Sequence, residues 1–354
     1  MITPPTNHDS KYGSPRITVE LANICNLHCS YCLRDDDALY SPRAEFLPVG
    51  LLRRVIPEAR DVAGVTQVNF TGGEPTLHPQ FEEALAACAE ARVKTSFVTN
   101  GWHFDRVWTA VAKHRDAVSH ISFSIDGATQ EAHDHWRGEG SFVRLIRAFS
   151  RCKVAEMPFG LKIGIRRDTM DQLEAIALFA ARMGAASLSF SHLLPTSNDA
   201  QQELALDMSE RNQAEQEIAI LAGIFKMRIG IDVGYYNLDP AAPCLPLAGV
   251  SCNIDYRGRL TLCCNLSGFR GAGEESDLVA DLNHNSFSEA YVRFQQMATT
   301  QLERRRTALA ENESPDLFTG SPCLFCLKTL NKIPWSATAP IGPTAHDRML
   351  PVLA

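Results

Sequence analysis

From residue 15 to about 195 the chain alternates short β-branched runs with longer stretches whose apolar residues recur every three or four positions. The short runs predict strands over 17–21, 67–70, 95–99, 120–125, 160–165 and 187–192. The periodic stretches predict amphipathic helices near 48–60, 79–91, 104–115, 141–155 and 170–183. Strand–helix alternation implies an α/β architecture, a parallel sheet with helices outside it. Six units are too few to close an eight-stranded barrel. Beyond residue 196 the pattern changes. Residues 197–212 are polar, a helix with apolar positions follows to about 228, and Pro240, Pro243 and Pro246 then interrupt any helix. Residues 250–263 read as a hairpin with strands at 250–254 and 260–263 about the turn Tyr256-Arg257-Gly258. The charged stretch 301–315 reads as a solvated helix, and the tail after Pro334 is rich in Pro and Ala. The expected divisions are a tail (1–14), a barrel-like unit (15–196), a linking helix and strand (197–239), a small hairpin-plus-helix unit (240–334) and a second tail (335–354).

Composition narrows the function classes. With 354 residues, 45% hydrophobic and 21% charged, the chain has the make-up of an ordinary globular protein. A formal charge of −7 disfavours a nucleic-acid partner. The chain has no run of eighteen apolar residues, and MITPPTNHDSKYG is no signal peptide, so neither a membrane nor export is expected and the location is cytoplasmic. Eleven Cys, an odd number, fall into two groups at 25–32 and 244–326, with Cys88 and Cys152 isolated between them. In a reducing compartment such groups bind metal or do redox chemistry, and two groups imply two sites.

The first group, Cys25-Asn26-Leu27-His28-Cys29-Ser30-Tyr31-Cys32, places three thiols at C-x3-C-x2-C spacing directly after the first strand. Three thiolates on one loop can hold three irons of a cubane iron–sulfur cluster and leave the fourth open to a ligand. After the second strand comes Thr71-Gly72-Gly73-Glu74-Pro75, where paired glycines permit close backbone approach and a carboxylate can pair with an ammonium. Thr99-Asn100-Gly101 is another strand-end turn, either plain turn chemistry or a cofactor contact. On the fourth strand Ser122, Ser124 and Asp126 share one face, and polar side chains on an inward face require a ligand or a partner.

The cysteine loop with an aromatic before its last Cys resembles the radical S-adenosylmethionine (SAM) superfamily. That resemblance implies an open, partial (β/α)6 TIM-like barrel and a [4Fe–4S] cluster held by Cys25, Cys29 and Cys32. It also implies SAM chelated to the open iron and cleaved by one electron to a 5′-deoxyadenosyl radical. It places Tyr31 against adenine, assigns Gly72, Gly73 and Glu74 to the amino group of SAM, and assigns Ser124 to its ribose or carboxylate. Arg137, in the stretch His133-Asp134-His135-Trp136-Arg137-Gly138, would pair with the SAM carboxylate. Asp126 is open between a turn and a functional role. His133 and His135 read as loop or cap residues, and His192 as a strand-end residue or a substrate contact.

The second cysteine group, Cys244…Cys263-Cys264…Cys323-x2-Cys326, resembles the SPASM extension or its shorter twitch form. It implies one auxiliary [4Fe–4S] cluster with Cys244, Cys263, Cys323 and Cys326 as ligands, and with Cys252 and Cys264 as rivals for the place of Cys244. Cys263 and Cys264, as strand neighbours, should face opposite ways. That leaves Cys264 as a buried inert thiol or as a hydrogen-atom donor at the barrel mouth. In sulfatase-maturating relatives an Asp base follows the matching Cys. Here that position is Cys264, so Asp255 is the substitute candidate for the base.

The resemblance implies an oxidoreductase-type radical enzyme with an external one-electron reductant such as flavodoxin or ferredoxin. The substrate is a ribosomally made peptide to be oxidised, cross-linked or epimerised, or else a small molecule such as an amino-sugar or aminocyclitol. About sixteen residues precede the first strand, too few for a fused peptide-recognition domain. The chain ends Val352-Leu353-Ala354, without the terminal Gly-Gly of the enzyme that cyclises GTP towards molybdopterin. The reading from another class is a non-catalytic iron–sulfur or zinc protein.

Overall fold

Seven strands run parallel and lie side by side in chain order: β1 (Arg16–Ala22), β2 (Gln67–Gly72), β3 (Lys94–Thr99), β4 (Val118–Ser124), β5 (Phe159–Ile165), β6 (Ser187–His192) and β7 (Arg228–Val233). These come from a computed structural model that describes residues 13–34, 42, 44–196, 203–233, 241–270, 272, 275–311 and 316–333. The expectations for 1–12, 197–202, 234–240, 312–315 and 334–354 lie outside the described residues.

Each crossover carries helix: α1 (Val49–Ala63), α2 (Phe81–Glu90), α3 (Phe104–Lys113), the pair α4 (Gln130–Arg137) and α5 (Ser141–Val154), α6 (Leu173–Met183) and α7 (Met208–Ile224). The strands alternate in character. Ile17, Val19, Val68, Phe70, Phe97, Ile121, Phe123, Leu161, Ile163, Leu188 and Phe190 are buried in the apolar core. Phe123 meets Phe104, Phe149 and Phe159 edge to face. The opposite face carries Thr18, Glu20, Asn69, Thr71, Ser96, Ser122, Ser124, Lys162, Ser189 and Ser191. A parallel sheet covered on both faces would be apolar on both. One polar face marks the inside of an open barrel, and the α/β reading holds.

The seventh parallel strand goes beyond the expected six units. Arg228–Val233 lies in the segment expected to link two domains. Its alternating Ile229 and Ile231, following a 17-residue helix, instead satisfy another βαβ crossover onto β6. Helix α4 was also unforeseen, because QEAHDHWR has no apolar period; Thr129 caps it by accepting from Ala132 N at 3.3 Å.

The C-terminal part extends the same sheet. Strand β8 (Ser251–Ile254) pairs parallel with β1, and β9 (Arg259–Thr261) and β10 (Leu278–Asp281) follow antiparallel, giving ten strands in the order β10-β9-β8-β1-β2-β3-β4-β5-β6-β7. The chain leaves β9 after Thr261, so Cys263 and Cys264 stand in a turn and not on a strand. Helices α8 (Phe287–Ala310), α9 (Leu317–Gly320) and α10 (Pro322–Thr329) pack on this part. α8 is docked to the barrel through its N-terminus, where Ser286 caps Glu289 N and the Glu58 carboxylate of α1 accepts from Phe287 N at 3.0 Å and Ser288 N at 2.9 Å. A carboxylate there meets the positive end of the helix dipole. Among the described residues no helix is long and apolar enough to cross a membrane.

Replacing Glu58 by Ala should therefore lower stability by about 1–2 kcal/mol. Denaturant unfolding measures that loss, and the strand spectrum of the folded protein should stay unchanged.

Candidate active site and cysteine loops

The cysteine loop leaves the C-terminal end of β1 and is gripped from β2. Gly73 N donates to Ala22 O at 2.9 Å and Glu74 N to Ile24 O at 2.8 Å. Gly72 has φ +124°, and a Cβ on Gly73 would stand 2.0 Å from the Ile24 carbonyl oxygen. Only paired glycines let these backbones come so close. Glu74 is buried, and its Oε1 accepts from Thr76 N (3.1 Å), Thr76 Oγ1 (2.5 Å) and Thr99 Oγ1 (2.7 Å), while Oε2 accepts from Asn100 N at 2.7 Å. Burial pushes this carboxyl up, against the pull of those donors. Asn100 in turn donates its side-chain amide to Asn26 Oδ1 at 3.0 Å and to Cys25 Sγ at 3.7 Å. Gly72, Gly73 and most of Glu74 thus serve the loop itself, and one lone pair of Oε2 remains for an ammonium.

A buried ionic cluster closes the other side. Asp126 accepts from Tyr31 OH, Arg137 Nε and Arg166 Nη1, and Arg137 Nη2 donates to Tyr31 OH at 3.0 Å. Arg166, fully buried one residue past β5, also donates to Asp168 at 2.9 Å and lies 4.4 Å over the Trp136 ring and 5.2 Å over that of Tyr31. Burial alone would raise Asp126, but the two guanidiniums hold it below the usual carboxylate range. The charge of Arg137 also reaches Cys29. Asp126 is thus a hub and not a turn residue, and Arg166 was missed. His133 is buried and accepts from Asp126 N at 3.2 Å, a structural role. His192 is buried against Glu215 at 3.4 Å.

On the inner face Ser124 lies in register with Lys162 across β4 and β5. Lys162 pairs with Asp232 at 2.5 Å, and Ser191 donates to the same carboxylate. Phe190 and Ser191 oppose Ile231 and Val233, so Asp232 is the extra residue of a bulge in β7. Bulges re-aim side chains in this way beside sites.

In the C-terminal part four thiols line one concavity. Cys244, Cys263, Cys323 and Cys326 share it with Leu247, Leu262, Leu266 and Leu327, in a space of about 330 Å³ that includes its mouth to solvent. Cys252 lies elsewhere, on β8 within the apolar core, pushed up to about 12 by burial. Cys263 and Cys264 act most strongly on each other, with Cys323 and Cys244 acting also on Cys263, and Arg34, Glu20 and Lys162 on Cys264. Cys263 lines the concavity and Cys264 does not. The Asp255 carboxylate accepts from Arg257 N (3.0 Å) and Arg259 N (2.9 Å) and pairs with Arg259 at 2.7 Å, so it organises its own turn. Among the described residues no three Cys, His, Asp or Glu side chains converge on one metal ion.

Residues 19–180 match the family described as the radical SAM superfamily. That stretch carries a radical SAM domain. It is 29% identical over 265 residues to the mycofactocin maturase MftC of Mycobacterium ulcerans, covering 70% of this chain and 67% of that one. To MftC of Mycobacterium tuberculosis it is 34% identical over 189 residues, 51% of this chain and 45% of that one. It thus spans two thirds of one such relative and about half of others. Streptococcus suis SuiB bound to SAM shares the fold, with TM-score 0.66 and 14% identity over 81% of this chain and 68% of that one.

The radical SAM family implies a [4Fe–4S] cluster and SAM, and the cysteine loop fits the cluster. Burial, with Glu74 nearby, pushes the Cys25 thiol up to about 12, and burial likewise raises Cys29. Thiols so placed are costly to ionise alone and become favourable ligands beside iron. Leu27 N at 3.4 Å and the Asn100 amide are ready donors to Cys25 sulfur.

Gly73→Ala should disturb the loop at Ile24 and retain less iron than the parent protein, read as the iron-to-protein ratio after anaerobic reconstitution. Asp126→Ala leaves two buried guanidiniums short of an anion and should cost about 3–5 kcal/mol in unfolding experiments. Because the folded Asp126 lies below its unfolded value, its contribution is present at neutral pH. It should be lost only as pH falls through the folded value in acid.

Proposed function

We propose that this radical SAM enzyme modifies a ribosomally made peptide by hydrogen-atom abstraction and carries an auxiliary [4Fe–4S] cluster as well as the SAM-binding one. The observation that carries the chemistry is the loop of Cys25, Cys29 and Cys32 standing between the Glu74 relay and the Asp126 cluster at the mouth of a polar-lined open barrel. Peptide modification is supported by the relatives, which are named as mycofactocin maturases, and by SuiB, solved with its precursor peptide SuiA. An open barrel with a polar inner face suits an extended substrate.

When bound, the reduced cluster and SAM supply the 5′-deoxyadenosyl radical that takes a substrate hydrogen atom. In this reading Arg137, whose Nη1 has no partner among the described residues, pairs with the SAM carboxylate, and Glu74 Oε2 accepts from its ammonium. Tyr31 faces adenine and Ser124 the ribose or carboxylate. Lys162, Ser191 and Asp232 line the substrate side, and the Cys264 S–H bond breaks to return a hydrogen atom to the substrate radical where the outcome is epimerisation, the thiyl left behind being restored by one electron from the external donor and a proton from water. Cys244, Cys263, Cys323 and Cys326 would hold the auxiliary cluster, which would supply a one-electron acceptor for a net oxidation. Reduction of the first site comes from an external one-electron donor such as flavodoxin or ferredoxin.

Anaerobic reconstitution tests the assignment. About eight irons per chain and dithionite-dependent 5′-deoxyadenosine are expected, with SAM cleavage abolished by Cys29→Ser. Bound zinc without SAM cleavage overturns it. A precursor peptide encoded beside the gene should change mass on incubation, whereas turnover of an amino-sugar alone would replace the peptide reading. Cys264→Ala should abolish deuterium uptake from heavy water into product, and unchanged uptake removes Cys264 from the chemistry.

A further inference from the structure

Gln301 and Arg305 are four residues apart on α8, so they share one face of the helix. Both are buried, at 2% and 1% exposure, although their neighbours on the outer face are charged and solvated. Gln301 Nε2 donates to Cys326 Sγ at 3.7 Å and to the Thr329 hydroxyl. Arg305 Nη1 donates to the Ala242 carbonyl at 3.2 Å, two residues before Cys244, and its charge acts on both Cys244 and Cys326. Across the concavity Asn265 donates its backbone N–H to Cys263 Sγ at 3.5 Å and its side-chain amide to Cys323 Sγ at 3.9 Å.

A guanidinium keeps its proton under all ordinary conditions, and its charge is screened less in the protein interior than in water. Four thiolates around iron are an anion, and each reduction adds one more negative charge. A fixed positive charge and N–H donors to sulfur favour the reduced form. Gln301 and Arg305 therefore bear on the C-terminal site in a way that its cysteine spacing does not reveal.

We propose that Gln301 and Arg305 are positioning residues that raise the reduction potential of the cluster held by Cys244, Cys263, Cys323 and Cys326, poising it to accept an electron from the substrate side. This rests on the auxiliary-cluster reading above. A role confined to filling the space under α8 would alter stability and leave the potential where it is.

The test is a redox titration, followed by electron paramagnetic resonance, of the anaerobically reconstituted full chain and of Arg305→Met, Arg305→Lys and Gln301→Glu. Arg305→Met should lower the reduced-to-oxidised ratio of the auxiliary site at fixed poise about tenfold, equivalent to about 59 mV for a one-electron couple. Gln301→Glu, close in shape but anionic, should move it in the same direction, and Arg305→Lys should restore most of the parental value. The potential of the N-terminal site in the same samples should not move. Should Arg305→Met fail to hold iron, the Gln301→Glu potential decides. Unchanged potentials at full iron content overturn this inference alone, whereas about four irons in the parent chain overturn the auxiliary cluster and the inference with it.

Discussion

The Glu74 carboxylate is the tie on which the cysteine loop depends. It is almost wholly out of water, so its charge is tolerated only because Thr76, Thr99 and Asn100 supply donors from two strand ends. Charge-assisted bonds of this kind are stronger than neutral ones, and here they join the end of β2 to the end of β3. Asn100 passes the constraint on by holding Asn26 and Cys25. The two glycines before Glu74 complete the grip by bringing backbone against backbone at Ala22 and Ile24. The metal-binding loop is therefore shaped by the protein before any iron arrives.

The opposite wall is built on the reverse principle, one anion among cations. Asp126 satisfies two guanidiniums and a phenol, and Trp136 and Tyr31 give Arg166 aromatic faces in place of water. Such a network is weak evidence for stability, since desolvation offsets much of the attraction. Its value is geometric: it fixes the guanidinium of Arg137 beside Cys29, with part of its fork still open.

Much of this was legible in the chain. Short β-branched runs stand where strands β1 to β6 form, because their side chains fit a half-buried pleated surface, and the thiol spacing located the first loop. What escaped notice depends on long-range contacts. Arg166 looks like any strand-end Arg until Asp126, forty residues earlier, is brought to it. Strand β7 could not be told from a linker, because its place in the sheet is decided by β6 and not by its own six residues. Asp255 is a related case: its closeness in sequence to the thiols suggests chemistry, and its neighbours Arg257 and Arg259 engage the carboxylate locally. Strand alternation predicts opposite facings for Cys263 and Cys264, but both stand in a turn, and only Cys263 of the two lines the thiol concavity.

The C-terminal hairpin is more than an appendage, because β8 lies along β1 and covers what would otherwise be an open strand edge. Arg34 reaches from the end of the cysteine loop to Ser267 O, and Arg270 reaches back to Leu33 and Arg34 carbonyls. A gene product truncated ahead of this hairpin would present a bare row of amides beside its most oxidation-sensitive loop, and self-association there would compete with cofactor loading. The extension thus closes the sheet edge next to the cysteine loop.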